Sequence, residues 1–174
     1  MSHLSHIRKG KERNRTTGIK QIKKMMYLDI VNKIKNHFDN DPIVTTCTTG
    51  DITKVDLAKQ TLFPLAHIIV NSANLEENII RYSVSIICMD VVDFSKSETV
   101  DNFEGNDNEL YVLNTQMQVI TRLYEILRRG DLHTEGFQVD GTPSAEPFTD
   151  RFENVVAGFT LSLDVIVPNE MSTC

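Results

Sequence analysis

Two stretches of sequence decide the fold: IIRYSVSIICMDVVDF at residues 79–94 and VVAGFTLSLDVIV at residues 155–167. In both, apolar side chains recur at every second position, which is typical of a β-strand with one buried face. In the first stretch the intervening positions are polar up to Ser85 and apolar from Ile87. We therefore expect the second half of this strand to be covered on both faces. Its sixteen residues would span roughly 54 Å, so the strand should bend or leave the body of the domain.

A helix and two strands are predicted before residue 79. Four apolar residues at spacings of four, three and four predict a helix from about Met26 to Phe38: Tyr27, Val31, Ile34 and Phe38. Residues 43–49 are mostly β-branched and predict a short strand. Residues 65–75 predict a longer strand, and a polar turn at 76–78 joins it to the stretch that begins at residue 79. Residues 52–63 have no clear pattern.

A second helix is predicted after residue 106. Asn106 and Glu109 have the spacing of a capping box, and Gly130 is placed for a left-handed C-terminal cap. The apolar stripe of this helix consists of Leu110, Leu113, Met117, Ile120, Tyr124 and Leu127. We expect Leu113, Met117 and Ile120 to face the sheet and to be part of the core.

The other segments complete a two-layer α+β domain. Residues 132–139 predict a strand, whereas 141–150 contain two prolines and predict a loop. Adjacent strands joined by short turns imply a mostly antiparallel or mixed sheet, with two amphipathic helices on one face and a long hairpin and loop extension. The polar loop at 95–108 is expected to be an assembly element. Either the second helix or a neighbouring subunit would then cover the second face of the long strand.

Charge divides the chain into an acidic body and a basic extension. Residues 1–25 contain eight Lys or Arg and one Glu, whereas residues 26–174 contain ten basic and 23 acidic residues. We expect 1–25 to be a poorly ordered extension and 26–174 to be a single domain. The extension is an arm for nucleic acid or an acidic partner, an addition ahead of a start at Met25 or Met26, or an extension of the first helix. It contains no aromatic residue for base stacking.

The composition excludes several classes of protein. The chain of 174 residues is 40% hydrophobic and 24% charged, which argues against a disordered chain or a fibre. It has neither a run of eighteen uncharged apolar residues for a membrane span nor an apolar signal segment near the N-terminus. Cys47, Cys88 and Cys174 are too widely spaced for a disulfide framework or a zinc site, and we expect Cys47 and Cys88 to be core thiols.

Three groups of polar residues were considered as sites. Asp131, His133 and Glu135 would share one face of a strand, but a single His with two acids is a weak metal set, and a solvated strand end is favoured. A calcium site was weighed for Asp101, Glu104, Asp107 and Glu109. Their spacing does not match the EF-hand loop, so a solvated loop is favoured. A salt-bridge network or an intersubunit contact was considered for Glu146, Asp150, Arg151 and Glu153.

The histidines and the reaction motifs give no further site. We expect His67, within an apolar strand, to be hydrogen-bonded in the sheet rather than catalytic, and His37 to lie at the end of the first helix. No P-loop, dinucleotide turn, nucleophile elbow or zinc-protease motif is present in the sequence. We therefore predict no catalytic residues, no metal site and no cofactor, and expect that the protein is not an enzyme.

Five short strings together resemble a virion protein of tailed phages of Bacteroidota, the crAss-like phages in particular. They are KQTLFPLAH at residues 59–67, MDVVD at 89–93, GNDNE at 105–109, LNTQ at 113–116 and DRFEN at 150–154. The order of elements is similar to that of tail-terminator and head–tail connector proteins, which are small α+β subunits that assemble into rings. The resemblance covers about residues 26–174.

The resemblance implies a structural virion protein, a ring-forming subunit of a tail or head–tail connector. Its partners would be copies of itself, six or twelve to a ring, and adjacent tail or portal-associated rings. DNA would pass through as cargo, which suits an acidic body because phosphate binding requires cations. No membrane partner is implied. Two alternatives remain: a nucleic-acid-binding accessory protein that uses the basic arm, and a small metal-dependent enzyme that uses Asp131, His133 and Glu135.

Overall fold

A five-stranded mixed sheet organises the chain, and its computed structural model describes residues 27–93, 107–151 and 155–169. The elements are, in chain order, α1 (Tyr27–Asp39), β1 (Thr46–Thr49), β2 (Leu65–Leu75), β3 (Ile79–Val91), α2 (Glu109–Arg129), α3 (Asp131–Thr134), β4 (Gln138–Arg151) and β5 (Val156–Pro168). The predicted α+β fold is confirmed. Residues 1–25, most of the predicted loop at 95–108, and Cys174 lie outside the described residues.

The strands lie in the order β1-β2-β3-β5-β4. β3 and β5 pair along their whole length, from Ile79 opposite Pro168 to Val91 opposite Val156. β1 is parallel to β2, whereas the other neighbouring pairs are antiparallel. A parallel pair requires a crossover of a dozen or more residues, and residues 50–64, with two short 3-10 turns, provide it. We call residues 50–64 the crossover.

The helices pack on one face of the sheet and enclose the main core. Alternate residues of β3 from Tyr82 to Cys88 are buried there, as the period of two predicts. β5 contributes Leu161, Leu163, Val165 and Val167, and α1 contributes Ile30, Val31, Ile34 and Phe38. Cys47 and Cys88 are buried free thiols of this core, which confirms their predicted place. Burial raises the pKa of Cys47 to about 12, so this thiol stays protonated.

The crossover covers one end of the opposite face, which we call the reverse face. A second cluster joins Leu65, Met89, Phe148 and Val156 across four strands, with Phe63 of the crossover. Further apolar side chains of the crossover pack against it: Ile52, Val55, Leu57 and Leu62. Coverage of both faces of β3 near Met89 is therefore confirmed. The covering element is the crossover, not α2 or a neighbouring subunit as the sequence suggested.

The buried face of α2 is rotated from the predicted one. Its buried residues are Val112, Gln116, Val119, Ile120, Leu123 and Leu127. Ile120 is core as predicted and Leu113 is partly buried, but Met117 is 42% exposed and Leu110 is 70% exposed. The expectation for Met117 was wrong because the apolar arc of α2 is wider than the surface that the sheet covers. The helix also begins at Glu109, so Glu109 is not at the third position of a capping box.

The region after α2 departs most from the prediction. Residues 131–134 form a helical turn rather than the start of a strand, and β4 then runs to Arg151 through the predicted loop. Pro143 and Pro147 suggested the loop because proline cannot donate to a strand ladder. They are tolerated because β4 is an edge strand with β5 as its one neighbour in the described sheet.

Candidate assembly surface

The three residues that the sequence offered as a weak metal set do not form the start of a strand. Asp131 and His133 belong to α3, and Glu135 caps the end of that helical turn, so the shared face expected of a strand does not form. Glu135 makes an ion pair with Lys33 of α1 instead. Within the described ranges, no group of three His, Cys, Asp or Glu side chains is arranged to hold a metal ion.

His67 is part of the sheet architecture, as the sequence predicted. It is fully buried; its Nε2 lies 3.0 Å from the carbonyl oxygen of Gly50, and its Nδ1 lies 2.7 Å from Oγ1 of Thr48. A carbonyl only accepts, so Nε2 carries the proton and Nδ1 accepts from the Thr48 hydroxyl. Burial lowers the pKa of His67, although the Gly50 bond and the charge of Asp51 oppose this. The neutral ring ties the end of β1 to β2.

An ion pair that sequence reasoning missed joins α2 to the segment after α1. Arg122 donates to both carboxylate oxygens of Asp41, from Nε at 2.6 Å and from a terminal nitrogen at 2.8 Å. The Asp41 side chain is 1% exposed, whereas that of Arg122 is 37% exposed. Burial alone would raise the pKa of Asp41, but the bonds from Arg122 and from the Ile43 amide lower it. The two residues are 81 positions apart, so no local pattern connects them.

The acidic residues considered for calcium or for an intersubunit network fall into two groups. Asp107 accepts a hydrogen bond at 3.1 Å from the amide of Glu109, which caps the start of α2. Glu146 is exposed on β4. The others lie outside the described residues or have side chains that do: Asp101, Glu104, Asp150, Arg151 and Glu153.

Two hydrogen bonds join Asp93 to Asn108, which lie on either side of residues 94–106, and we call this pairing the neck. The amide of Asp93 donates to Oδ1 of Asn108 at 2.8 Å, and the amide of Asn108 donates to the carbonyl of Asp93 at 3.2 Å. These two bonds hold the end of β3 beside the start of α2. The loop predicted as an assembly element therefore leaves and returns at one point of the fold.

An apolar groove lies between α2 and β4. It encloses about 190 Å³ and is lined by Met117, Ile120, Thr121, Tyr124, Thr142, Pro143, Ala145 and Leu161. Met117, which was expected in the core, thus forms part of one wall of a surface recess. The guanidinium of Arg128 lies 5.9 Å from the centre of the Tyr124 ring and places a positive charge at the rim. We call this feature the α2–β4 groove.

Both edges of the described sheet are poorly suited to pairing with another strand. Pro147 lies opposite Phe159, and hydrogen-bonded and non-hydrogen-bonded pairs alternate in an antiparallel ladder. A proline fits the non-bonded position, where its missing N–H would have pointed to the open edge. β1, at the other edge, has four residues. Prolines and short strands protect edges, so contacts through side-chain surfaces are favoured over sheet extension.

At the turn end of the β2–β3 hairpin, β2 is an edge strand of the described sheet, whereas β3 still pairs with β5. β1 pairs with β2 only as far as Ile68, and β2 residues 71–75 are exposed. Leu75 at the tip is 78% exposed. Arg81, which lies opposite Asn74 near the turn, pairs with Glu76 of the turn and with Asp140 of β4, so this end of the hairpin is tied to the rest of the sheet.

Comparison with known protein families and with curated proteins found no match for this chain. In the described part of the chain, no helix is long and apolar enough to cross a membrane. The geometry of the surface therefore has to carry the functional argument.

Proposed function

We propose that the protein is a structural virion subunit that assembles into a ring of a phage tail or head–tail connector through which DNA passes. One observation carries the proposal: the outer flank of α2 presents large apolar side chains beside the α2–β4 groove. Leu110 and Tyr111 are 70% and 72% exposed, and Met117 is 42% exposed. Apolar surface of this kind typically marks a site of protein association.

The positions of the resembling strings also support the proposal. Residues 59–67 include Phe63 and Leu65, which pack with Met89 of the string 89–93. Leu113 of the string 113–116 packs with Val92 of that same string. These three strings therefore meet at one end of the sheet, near the neck.

The buried ionisable groups suit a structural role as well. Asp41 is neutralised by Arg122, and His67 is held neutral between Thr48 and Gly50. Each group thus stabilises a contact between elements. The acidic character of residues 26–174 would let DNA pass without being gripped, because counterion release on phosphate binding requires Lys or Arg.

The test is the assembly state of the purified full chain. Sedimentation velocity across a concentration series should show a closed oligomer, and negative-stain images should show rings, with six or twelve copies as the expected numbers. A monomer at every concentration, with no rings in the images, would overturn the proposal.

The alternative, nucleic-acid binding through the basic arm, is separated by a second measurement. Duplex DNA is titrated with the full chain and with a chain lacking residues 1–24, at low and moderate salt. Tight, salt-dependent binding that is lost on deletion would favour the accessory-protein function. Weak binding that is equal for both chains is expected of a ring subunit that only conducts DNA.

A further inference from the structure

We propose that the tip of the β2–β3 hairpin of one copy docks in the α2–β4 groove of a second copy, with Leu75 as the inserted side chain. The inference rests on the self-assembly proposed above and names the surfaces that would perform it. It follows from three observations: an exposed leucine side chain, an apolar recess, and opposite charges beside them that form no ion pair with other described residues.

The knob is Leu75. Its side chain is 78% exposed beside the turn of the β2–β3 hairpin, so it adds little to the core of its own chain. Its neighbours on β2, from Asn71 to Asn74, are polar or small and equally exposed. Leu75 is thus the one large apolar side chain among the exposed residues 71–75 of β2, and its removal from water would favour binding.

The recess is large enough for this side chain. The α2–β4 groove is an open recess of about 190 Å³, and an enclosed protein cavity of about 150 Å³ is already large enough for a benzene-sized apolar group. Its walls are mostly apolar, with Ile120 and Leu161 from the core and Met117 and Pro143 nearer the surface. A leucine fits both the size and the chemistry of the groove.

The charges beside the knob and the recess are complementary. Glu77 follows Leu75 by two residues and is exposed, and it makes no ion pair within the described residues. Arg128 at the groove rim is also exposed, and its recorded contact there is with the ring of Tyr124 rather than a carboxylate. Because Glu77 is two residues from Leu75 and Arg128 lies on Tyr124 of the groove wall, insertion of Leu75 would bring a carboxylate and a guanidinium into the same neighbourhood.

A chain cannot fill its own groove with its own hairpin. Leu75 pairs with Ile80, whereas Leu161 of the groove pairs with Ile86, six residues farther along β3. That offset is about 20 Å along the strands, and three strand spacings across the sheet add about 14 Å. The contact must therefore join two copies through different surfaces, and a heterologous contact of this kind generates a ring when its rotation closes.

The test uses two variants that each remove one surface. Leu75→Asp places a charge on the knob, and Thr121→Glu places an acid in the groove where it repels Glu77. Asn74→Asp on the same hairpin and Gln118→Glu on the far flank of α2 are the matched controls, because each adds the same charge at an exposed position. Circular dichroism establishes that every variant is folded.

We expect Leu75→Asp and Thr121→Glu each to sediment as monomers, while both controls keep the wild-type oligomer. An equimolar mixture of the two monomeric variants should form a 1:1 heterodimer, because one still has its groove and the other its hairpin. Arg128→Glu should weaken assembly at least tenfold, and adding Glu77→Lys to the same chain should restore most of the loss.

The outcomes separate the inference from the function on which it rests. If the wild type forms rings and both monomer-directed variants form the same rings, the interface lies elsewhere and the inference is wrong while the ring function stands. If each variant is monomeric but their mixture forms no heterodimer, the two surfaces do not bind each other and the inference is again overturned. A wild type that is monomeric throughout overturns both.

Discussion

The two faces of the sheet are covered in different ways. On the helix side, two amphipathic helices bury a continuous row of β3 and β5 side chains. On the reverse face, the crossover covers only the end around Met89, and the remainder carries small polar residues such as Ser83 and Ser162. One strand therefore has a fully buried half and a half that is buried on one side only.

This difference shows which kind of sequence pattern specifies burial. Burial on the helix side is specified by apolar residues that recur every two positions in the strands and about every 3.6 positions in the helices. The reverse-face cover is an irregular segment with two 3-10 turns, and its apolar residues have no single period. Covering a sheet requires only that apolar side chains reach it, not that their backbone be regular.

The largest effect is expected in the helix-side core. Leu123→Ala removes a fully buried side chain of α2 and should lower the free energy of unfolding by about 3–5 kcal/mol. Met117→Ala on the same helix should change it by about 0.5 kcal/mol or less, because that side chain is 42% exposed. Chemical denaturation of both variants measures the two values. Equal losses would mean that the buried face of α2 is assigned wrongly.

A smaller loss is expected on the reverse face. Met89→Ala should cost about 2–3 kcal/mol, because its side chain is fully buried between β3 and the crossover. Ser83→Ala, on the same face of the same strand but beyond the crossover, should have almost no effect. If Met89→Ala is as harmless as Ser83→Ala, the crossover does not pack on the sheet in solution.

The third-largest loss in the free energy of unfolding is expected when the ion pair between Arg122 of α2 and Asp41 is broken. Arg122→Met leaves the Asp41 carboxylate buried without its main partner, and the loss should be about 2 kcal/mol near neutral pH. Arg129→Met, which breaks an exposed pair with Glu125, should cost about 0.5 kcal/mol or less.

The stability difference between wild type and Arg122→Met should depend on pH in a direction set by the pKa shift of Asp41. The pKa of Asp41 is lowered in the folded protein, so its stabilisation is complete above the unfolded pKa and is lost as pH falls through the folded value. The gap between wild type and Arg122→Met should therefore narrow in acid. A gap that is constant with pH would show that the guanidinium acts through packing alone.

The smallest expected effect is on the pH dependence of stability, through His67 on one side of the sheet and His37 on the other. Burial lowers the pKa of His67 on the reverse face and of His37 at the end of α1; Asp41 opposes the shift at His37, and Arg122 reinforces it. Both histidines have a higher pKa in the unfolded chain than in the folded protein. The stability that they contribute is therefore complete above about pH 6.5 and declines as the pH falls toward their folded pKa values. His67→Gln should flatten the decline between about pH 7 and pH 5. An unchanged slope would assign the decline to other groups.

The sequence by itself determined the strands and helices that have a clear period. The turn at Glu76 and β2 lie where predicted, β3 begins at the predicted residue but ends at Val91 rather than Phe94, and β5 is displaced by one residue from its predicted span. The alternation in β3 predicted which residues are buried and that Met89 would be covered from both sides. Periodicity is readable because a strand or helix that is buried on one face repeats its polarity locally.

Only the tertiary structure decided what depends on neighbours distant in sequence. Met117 lies in a groove rather than in the core. Pro143 and Pro147 are compatible with a strand because β4 lies at the edge of the sheet. The tertiary structure also brought Arg122 to Asp41. The physical reason is common to all three: an apolar arc, a proline or a charge specifies what its surroundings must provide, and the packing of the whole chain determines where such surroundings exist.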